Sequence, residues 1–210
     1  MKSYARMTHL LIMVGFFSVA TGCAFGNRHA TLVYPPEEGT KDPGPGVAEA
    51  SPAPAVTGEP IILLQFADKR SKGRVIGEVQ NGFGMHTADV VTEDSIAEWV
   101  TGALEMELRK AGYEIIDGED LESPATGPVV TGEVLAVYCT AYWSYDGEVS
   151  FVALVKEDGK EILKKQYTGK GSAGTNWTAT ARSYAQSLSL ALADAIGSLV
   201  ADLNGLTQGK

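Results

Sequence analysis

The chain has 210 residues and is acidic, with 17 Lys and Arg against 26 Asp and Glu and a formal net charge of −9 at pH 7. An acidic chain of this kind is a poor nucleic-acid binder, since that binding begins with the neutralisation of phosphates. The length allows one globular domain. With only two cysteines, the chain lacks the disulfide scaffold of many small exported domains.

The N-terminus predicts a bacterial lipoprotein signal. A basic start is followed by the apolar residues 10–19, which are too few to cross a bilayer, since a spanning helix needs about 20 residues. The block Ala20-Thr21-Gly22-Cys23 resembles the bacterial lipobox, although Leu is more usual at its first position. We therefore expect removal of residues 1–22 and acylation of Cys23. The alternative is an ordinary secretory signal that leaves Cys23 a plain thiol.

Acylation of Cys23 would anchor the protein to the lipid bilayer. Each buried methylene contributes about 0.8 kcal/mol, and two or more acyl chains make the anchoring stable. Ala24 follows the cysteine. In enterobacterial lipoproteins an Asp at this position retains the protein in the inner membrane, so the resemblance implies an outer-membrane location facing the periplasm.

A proline-rich stretch follows the anchor. Seven of the nine prolines fall between Tyr34 and Ile61, in a composition that cannot bury enough apolar surface to fold alone. We therefore assign residues 23–58 to the lipidated cysteine and a proline-rich tether, with a possible short strand at 31–34. Residues 59–205 are assigned to a single domain and residues 206–210 to a tail.

Hydrophobic patterns within that domain predict strands and two helices. Gly147 is expected to mark a turn after a long strand, and Asp158-Gly159 gives the strongest hairpin signal. The order predicts an α+β fold, with a mostly antiparallel sheet of four to five strands and two long helices packed on one face. The predicted strands are residues 61–66, 113–116, 129–145, 149–155 and 162–169, and the helices run from a cap at Thr92 to Ala111 and from about Thr178 to Leu203.

One motif suggests a cofactor. Residues 169–174 match the dinucleotide pattern G-x-G-x-x-G between a predicted strand and a predicted helix. Such a site also needs a second parallel strand ending in an acid that binds the ribose. Here the chain stops after the helix, and Asp194 lies within that helix instead. We therefore interpret the glycines as a flexible connection and expect no cofactor.

The remaining polar residues do not predict a catalytic or metal site. His29 and His86 stand apart in sequence, and Cys139 lies in the middle of a strand, where a small core residue is the usual interpretation. The acids between Glu114 and Glu122 could supply the carboxylate pair of a glycosidase. A run of charges in a loop is more often simply solvated, so we expect no metal and no catalytic residues.

Two groups of residues are candidates for binding a partner. Tyr142 and Trp143 belong to an aromatic group near the end of the long strand, where they could line a pocket or a partner surface; the alternative is cross-strand packing on Trp177 or Phe151. Residues 69–74 form a basic run that could meet an acidic partner. An exposed loop is its alternative interpretation.

Asp68-Lys69-Arg70, Ile76-Gly77 a few residues on, and an amphipathic helix ending at Gly112-Tyr113 resemble the YajG-type lipoprotein family. The resemblance covers about residues 61–204 together with the lipid signal. It implies a periplasm-facing lipoprotein of largely unknown activity, similar in layout to envelope lipoproteins that act as accessories to larger assemblies. Asp68 and Arg70 are accordingly candidate contacts, although a loop-fixing ion pair would use the same two residues.

The leading hypothesis is therefore a membrane-anchored, non-enzymatic accessory of the cell envelope. It would contact the bilayer through acylated Cys23 and bind an envelope protein or polymer, and it would not bind nucleic acid. The alternatives are a small-ligand or lipid-binding module and, third, a cell-wall hydrolase.

The anchor is tested by replacing its cysteine. Because the acyl chains are the expected membrane attachment, Cys23→Ala should move the protein from the membrane fraction to the soluble fraction of lysed cells. Both proteins are compared by immunoblot after a salt wash that removes peripheral proteins. Retention of Cys23→Ala in the washed membranes would contradict the anchor.

Overall fold

A computed structural model describes residues 26–36, 60–118, 127–175 and 180–208. The predicted signal peptide, Cys23, most of the proline-rich stretch, the acidic residues 119–126 and Trp177 lie outside these ranges, so the expectations placed on them stay predictions.

Nine strands and two helices make up the described part of the chain. The strands are β1 (Arg28–His29), β2 (Ile61–Leu63), β3 (Ala67–Asp68), β4 (Val75–Gln80), β5 (His86–Val91), β6 (Ile115–Asp117), β7 (Val129–Ala141), β8 (Ser144–Glu157) and β9 (Lys160–Thr175), and the helices are α1 (Ile96–Lys110) and α2 (Ala181–Gln208).

Strand β7 lies at the centre of the sheet. One of its edges pairs antiparallel with β8 along its whole length, and β8 pairs antiparallel with β9. Its other edge pairs in parallel with β2, β3 and β4 in succession, so that residues 61–79 behave as one interrupted strand beside it. Beyond them, β6 pairs in parallel with β2, β5 antiparallel with β4, and β1 in parallel with β5.

This sheet confirms the α+β class and the two helices but corrects the predicted sheet. It has nine strands in mixed orientation, not four to five mostly antiparallel ones. Strands β1 and β3 are two residues long and exposed, so they have no hydrophobic alternation from which they could be predicted. Parallel pairing was missed because the pattern within a strand does not reveal which strand lies next to it.

Helix α1 begins three residues later than predicted. The Ser95 hydroxyl caps it by accepting a hydrogen bond from the backbone N–H of Glu98 at 3.3 Å. The predicted cap, Thr92, instead exchanges hydrogen bonds with Asp94, whose carboxylate accepts from the backbone N–H of Leu32 at 2.6 Å. The acid near the helix start therefore holds the N-terminal segment in place.

That N-terminal segment packs directly on the domain. Strand β1 pairs with β5, and Ala30 and Leu32 lie in the hydrophobic core. The carbonyl of Val33 accepts hydrogen bonds from Trp99 Nε1 at 3.1 Å and Ser189 Oγ at 2.9 Å. The added strand thus lies at Arg28–His29 and not at 31–34, and the proline-rich residues connect two packed parts of the domain.

Helix α2 covers the inner face of the sheet. Its length and composition would suit a membrane span, but Leu188, Leu192 and Ile196 are fully buried in one core with α1 and the strands. The helix is therefore a core element of the fold. The Tyr113 hydroxyl, just after α1, donates to Asn204 Oδ1 of α2 at 2.7 Å and ties the two helical segments together.

Three glycines let α2 approach the sheet closely. A Cβ added to Gly147 of β8 or to Gly171 of β9 would collide with the backbone of α2 around Ser187, and one added to Gly169 would collide with it at Ala191. All three glycines lie within strands. The turn expected at Gly147 and the flexible connection expected at residues 169–174 were therefore wrong, because these glycines serve close packing.

Substitution of one of these glycines tests the packing. Gly169→Ala should lower the free energy of unfolding by about 1–3 kcal/mol, because the methyl group meets helix backbone that cannot rotate away. Gly197→Ala in α2, where an added Cβ meets nothing, should instead raise it by about 0.5–1 kcal/mol through helix propensity. Urea denaturation of both variants measures the difference. Equal changes in the free energy of unfolding for the two variants would show that Gly169 is not needed for the close approach of α2 to the sheet.

Candidate functional site

The loop between β3 and β4, residues 69–74, is called the basic loop, and Arg70 holds its shape. The Arg70 side chain is only 5% exposed and contacts the carboxylate of Asp68 with two nitrogens, at 3.0 and 2.9 Å. It also donates to the backbone carbonyls of Gly73 at 2.8 Å and Val75 at 3.3 Å. A planar guanidinium suits this set of acceptors, since it presents several donors in fixed directions.

The ion pair also sets the charge state of Asp68. Burial acts to raise the pKa of this carboxyl, but the hydrogen bonds and the positive charge of Arg70 outweigh it and hold the pKa below its usual value. The pair that the sequence singled out therefore closes the basic loop on itself. Lys72 is the loop residue that reaches the sheet, with its ammonium 4.1 Å from the centroid of the Tyr138 ring.

The sheet face opposite the helices carries an open groove of about 560 Å³. It is called the outer-face groove, and it crosses the ends of β7, β8 and β9. Along β7, Val137 and Cys139 point into the core, while Tyr138 and Thr140 are partly exposed on the other face. The lining residues are Tyr138, Thr140, Asp146, Gly147, Glu148, Lys170, Gly171 and Ser172.

Opposite charges lie side by side in this groove. The strand registers place Tyr138, Glu148 and Lys170 in one cross-strand row. Thr140, Asp146 and Ser172 form the next row. Burial and a hydrogen bond with Glu78 raise the pKa of Tyr138 to about 12, so its hydroxyl stays protonated at neutral pH. The groove therefore offers one aromatic ring, two carboxylates and one ammonium group.

Two hairpin tips lie together at one end of the sheet and expose large apolar side chains. We call Phe83, Met85, Tyr142 and Trp143 the hairpin-tip patch. Phe83 is 88% exposed and Trp143 is 72% exposed. The Tyr142 hydroxyl donates to the carbonyl of Gly82 at 3.2 Å, which joins the β7–β8 turn to the β4–β5 turn. The patch is therefore one surface built from two turns.

The rings of the sequence neighbours Tyr142 and Trp143 pack edge to face, with ring centroids 5.1 Å apart. Asp68 ends β3, and Arg70 lies in the basic loop that follows it, beside the groove. Phe83 and Met85 were missed by the sequence analysis. Their position in the glycine-rich turn 81–85 was the available signal, because an apolar residue in a tight turn has little chance to be buried.

The aromatic group predicted near this end is split in the structure. Tyr145 is buried and packs edge-on against Tyr184 at 5.0 Å, so it belongs to the core. Phe151 packs against Phe66 and Tyr167, also in the core. Tyr142 and Trp143 are exposed in the β7–β8 turn, and Tyr138 is partly exposed on the outer face of the sheet. The ring contact of Tyr145 is with helix α2, so it is not the predicted cross-strand packing.

Other reactive residues do not gather into a centre in the described ranges. Cys139 is a fully buried free thiol, and burial raises its pKa well above the usual range. The ring of His86 contacts Asp89 at 3.0 Å near the surface. The described side chains contain no group of three or more His, Cys, Asp or Glu that could hold a metal ion.

Comparisons with known proteins indicate a lipoprotein. A family model described as uncharacterized lipoprotein matches residues 49–204, and no curated protein matches the chain. A crystal structure of a protein from Xanthomonas campestris has a TM-score of 0.55 at 11% identity, over 87% of this chain and 96% of that one, and shows the same fold. A lipoprotein from Neisseria meningitidis gives 0.38 at 10% identity, over 73% and 100%.

The ion pair of the basic loop predicts a pH dependence. Because the folded-state pKa of Asp68 is lowered, the charged carboxylate stabilises the fold above about pH 4, and this stabilisation is lost as the pH falls through the folded-state value. Asp68→Asn cannot titrate, so its free energy of unfolding should fall less steeply than that of wild type below about pH 4.

Urea titrations of both proteins between about pH 2 and pH 6 measure this difference. The pKa of Asp202 is also lowered, by hydrogen bonds from Lys165 and Tyr167. This group titrates in both proteins, so its contribution cancels in the difference between their free energies of unfolding. Parallel stability curves for wild type and Asp68→Asn would contradict the lowered pKa.

Proposed function

We propose a binding role for this chain, which belongs to the family of uncharacterised YajG-type lipoproteins. In this proposal it is a lipid-anchored accessory of the cell envelope that faces the periplasm from the outer membrane. It binds a polar envelope protein or polymer in the outer-face groove and does not act as an enzyme.

The groove is the observation that carries this proposal. Its volume of about 560 Å³ falls within the range of binding sites for small molecules, roughly 300–1,000 Å³. It is open along the sheet, which suits a segment of a longer chain. Lys170 on β9, with Asp146 and Glu148 on the adjacent strand β8, suits a ligand that carries both positive and negative groups, such as an extended peptide.

The basic loop has a supporting part in this proposal. Because the donors of Arg70 are directed at Asp68, Gly73 and Val75, the Asp68–Arg70 pair acts by fixing the loop. The fixed loop presents Lys72 above Tyr138 at the edge of the groove. The two residues predicted as partner contacts would thus position a contact residue.

A second candidate function is a small-ligand-binding module that uses the same groove. Tyr138 favours it, because a partly exposed ring between charged groups can stack on a planar ligand. The cell-wall hydrolase stays the third candidate. Of the acids proposed for it, Glu114 and Asp117 are exposed near β6, and Glu119, Asp120 and Glu122 lie outside the described ranges.

Photo-crosslinking in living cells tests the binding role. A photoreactive amino acid at Ser172, which lines the groove, should capture a specific envelope component, while the same amino acid at exposed Ser198 on α2 should not. Lys170→Glu should lower the yield roughly tenfold, which corresponds to about 1.4 kcal/mol. Lys160→Glu, at the far end of the same strand, should leave the yield unchanged.

The outcomes separate the candidates. Equal capture from Ser172 and Ser198, or no effect of Lys170→Glu, would contradict binding in the groove. A small molecule that is retained by the purified protein, and lost from Lys170→Glu, would favour the ligand-binding module.

A further inference from the structure

The hairpin-tip patch is an unusual surface for a protein that faces water. Single exposed apolar residues are common, but contiguous apolar patches mark contact sites. Here Phe83, Met85 and Trp143 are each more than half exposed, and Tyr142 is 37% exposed beside them. These four residues form one surface, because the two turns that carry them are joined by the hydrogen bond from Tyr142 to Gly82.

The turn between β4 and β5 is held in shape while its side chains point outward. The side-chain carbonyl of Asn81 accepts hydrogen bonds from the backbone N–H of Phe83 at 3.0 Å and of Met85 at 3.1 Å. The turn that carries the exposed side chains is therefore already ordered. Its contact with another apolar surface would cost little further loss of backbone entropy.

The path of the N-terminal segment indicates which apolar surface the patch contacts. Strand β1 runs parallel to β5, with Arg28 opposite Val90. Since β5 begins at His86, next to Met85 of the patch, the chain that precedes Arg28 enters from the hairpin-tip end of the sheet.

The chain length sets how far the anchor can lie from the patch. Cys23 precedes Arg28 by five residues, and Met85 precedes Val90 by five residues. An extended chain spans at most about 3.6 Å per residue, so Cys23 lies within about 18 Å of Arg28. Met85 is about 17 Å from Val90 along the strand. The lipid can therefore reach the level of the patch, and the proline-rich residues do not lengthen this connection because they follow β1.

We infer that the hairpin-tip patch is a second membrane contact, which inserts into the interface of the bilayer beside acylated Cys23. Trp and Tyr suit this depth, because their rings are apolar and their N–H and O–H groups can reach water or headgroups. Phe83 and Met85 add the purely apolar part. The inference rests on the acylation of Cys23 and is independent of any ligand in the groove.

Two attachment points fix the orientation of the domain. A lipid on a short connection leaves the domain free to rotate about one point, whereas a second contact at the tips holds the strands upright on the membrane. The β8–β9 turn at Asp158-Gly159 then points into the periplasm, and the outer-face groove opens to the side. The four patch side chains carry no charge, so the contact should be insensitive to salt.

Depth-dependent fluorescence on the lipidated full-length protein tests the inference. Gly82→Cys adds a thiol at the tip without removing any patch side chain, and an added Cβ there meets nothing. Lys160→Cys places the thiol at the opposite end of the sheet. Cys139 is fully buried and Cys23 is acylated in this scheme, so an environment-sensitive fluorophore labels the introduced thiol.

In phosphatidylethanolamine–phosphatidylcholine vesicles with brominated acyl chains, the label at residue 82 should lose ~50% or more of its emission, and the label at residue 160 almost none. Raising the salt concentration should leave both values unchanged. Equal and low quenching at the two positions would overturn the inference.

A double substitution supplies the matched control. Phe83→Ser with Trp143→Ser removes two exposed side chains, so the core stays intact, and it should reduce quenching at residue 82 to the level seen at residue 160. Vesicle flotation should be unchanged, because the acyl chains remain. Unchanged quenching would overturn the inference. Failure of the unsubstituted protein to float would overturn it together with the acylation of Cys23, while groove crosslinking at Ser172 would still report on the proposed function.

Discussion

The close approach of helix α2 to strands β8 and β9 is the constraint on which the rest of the structure depends. Gly147, Gly169 and Gly171 leave no side chain where the helix backbone passes, and the helix presents the small residues Ser187 and Ala191 at the same place. Dispersion contacts fall off steeply with distance, so this approach gives a dense core from small side chains. The inner face of the sheet is covered in this way, and the outer face is left to solvent.

The pairing of the central strand β7 sets the positions of the candidate functional surfaces. Because β2, β3 and β4 follow one another along its open edge, the interruptions between them become loops at defined heights on the sheet. The basic loop lies at one interruption and is closed by Arg70. The hairpin-tip patch lies where β4 and β7 both end. The basic loop and the β4–β5 turn of the patch are thus consequences of how this edge is paired, while the groove lies across β7, β8 and β9 on the other side.

The glycines that sequence analysis misjudged share one physical cause. Gly147 and the glycines of residues 169–174 were interpreted as a turn and a flexible connection, since glycine most often supplies positive φ or flexibility. In the structure Gly147, Gly169 and Gly171 lie in strands beneath a helix. A glycine needed for space has the same identity as one needed for a turn, and only the neighbouring element distinguishes them.

Local patterns and short motifs in the sequence were enough to identify the family, the α+β class, the two helices and the Asp68–Arg70 pair. The lipid anchor stays a prediction from the same kind of motif. Tertiary structure alone decided the nine-stranded mixed sheet, the packing of the N-terminal segment on β5, and the meeting of Phe83 with Trp143 at one end. These features join residues far apart in the chain. Their energies come from pairing and burial between distant segments, which no local pattern records.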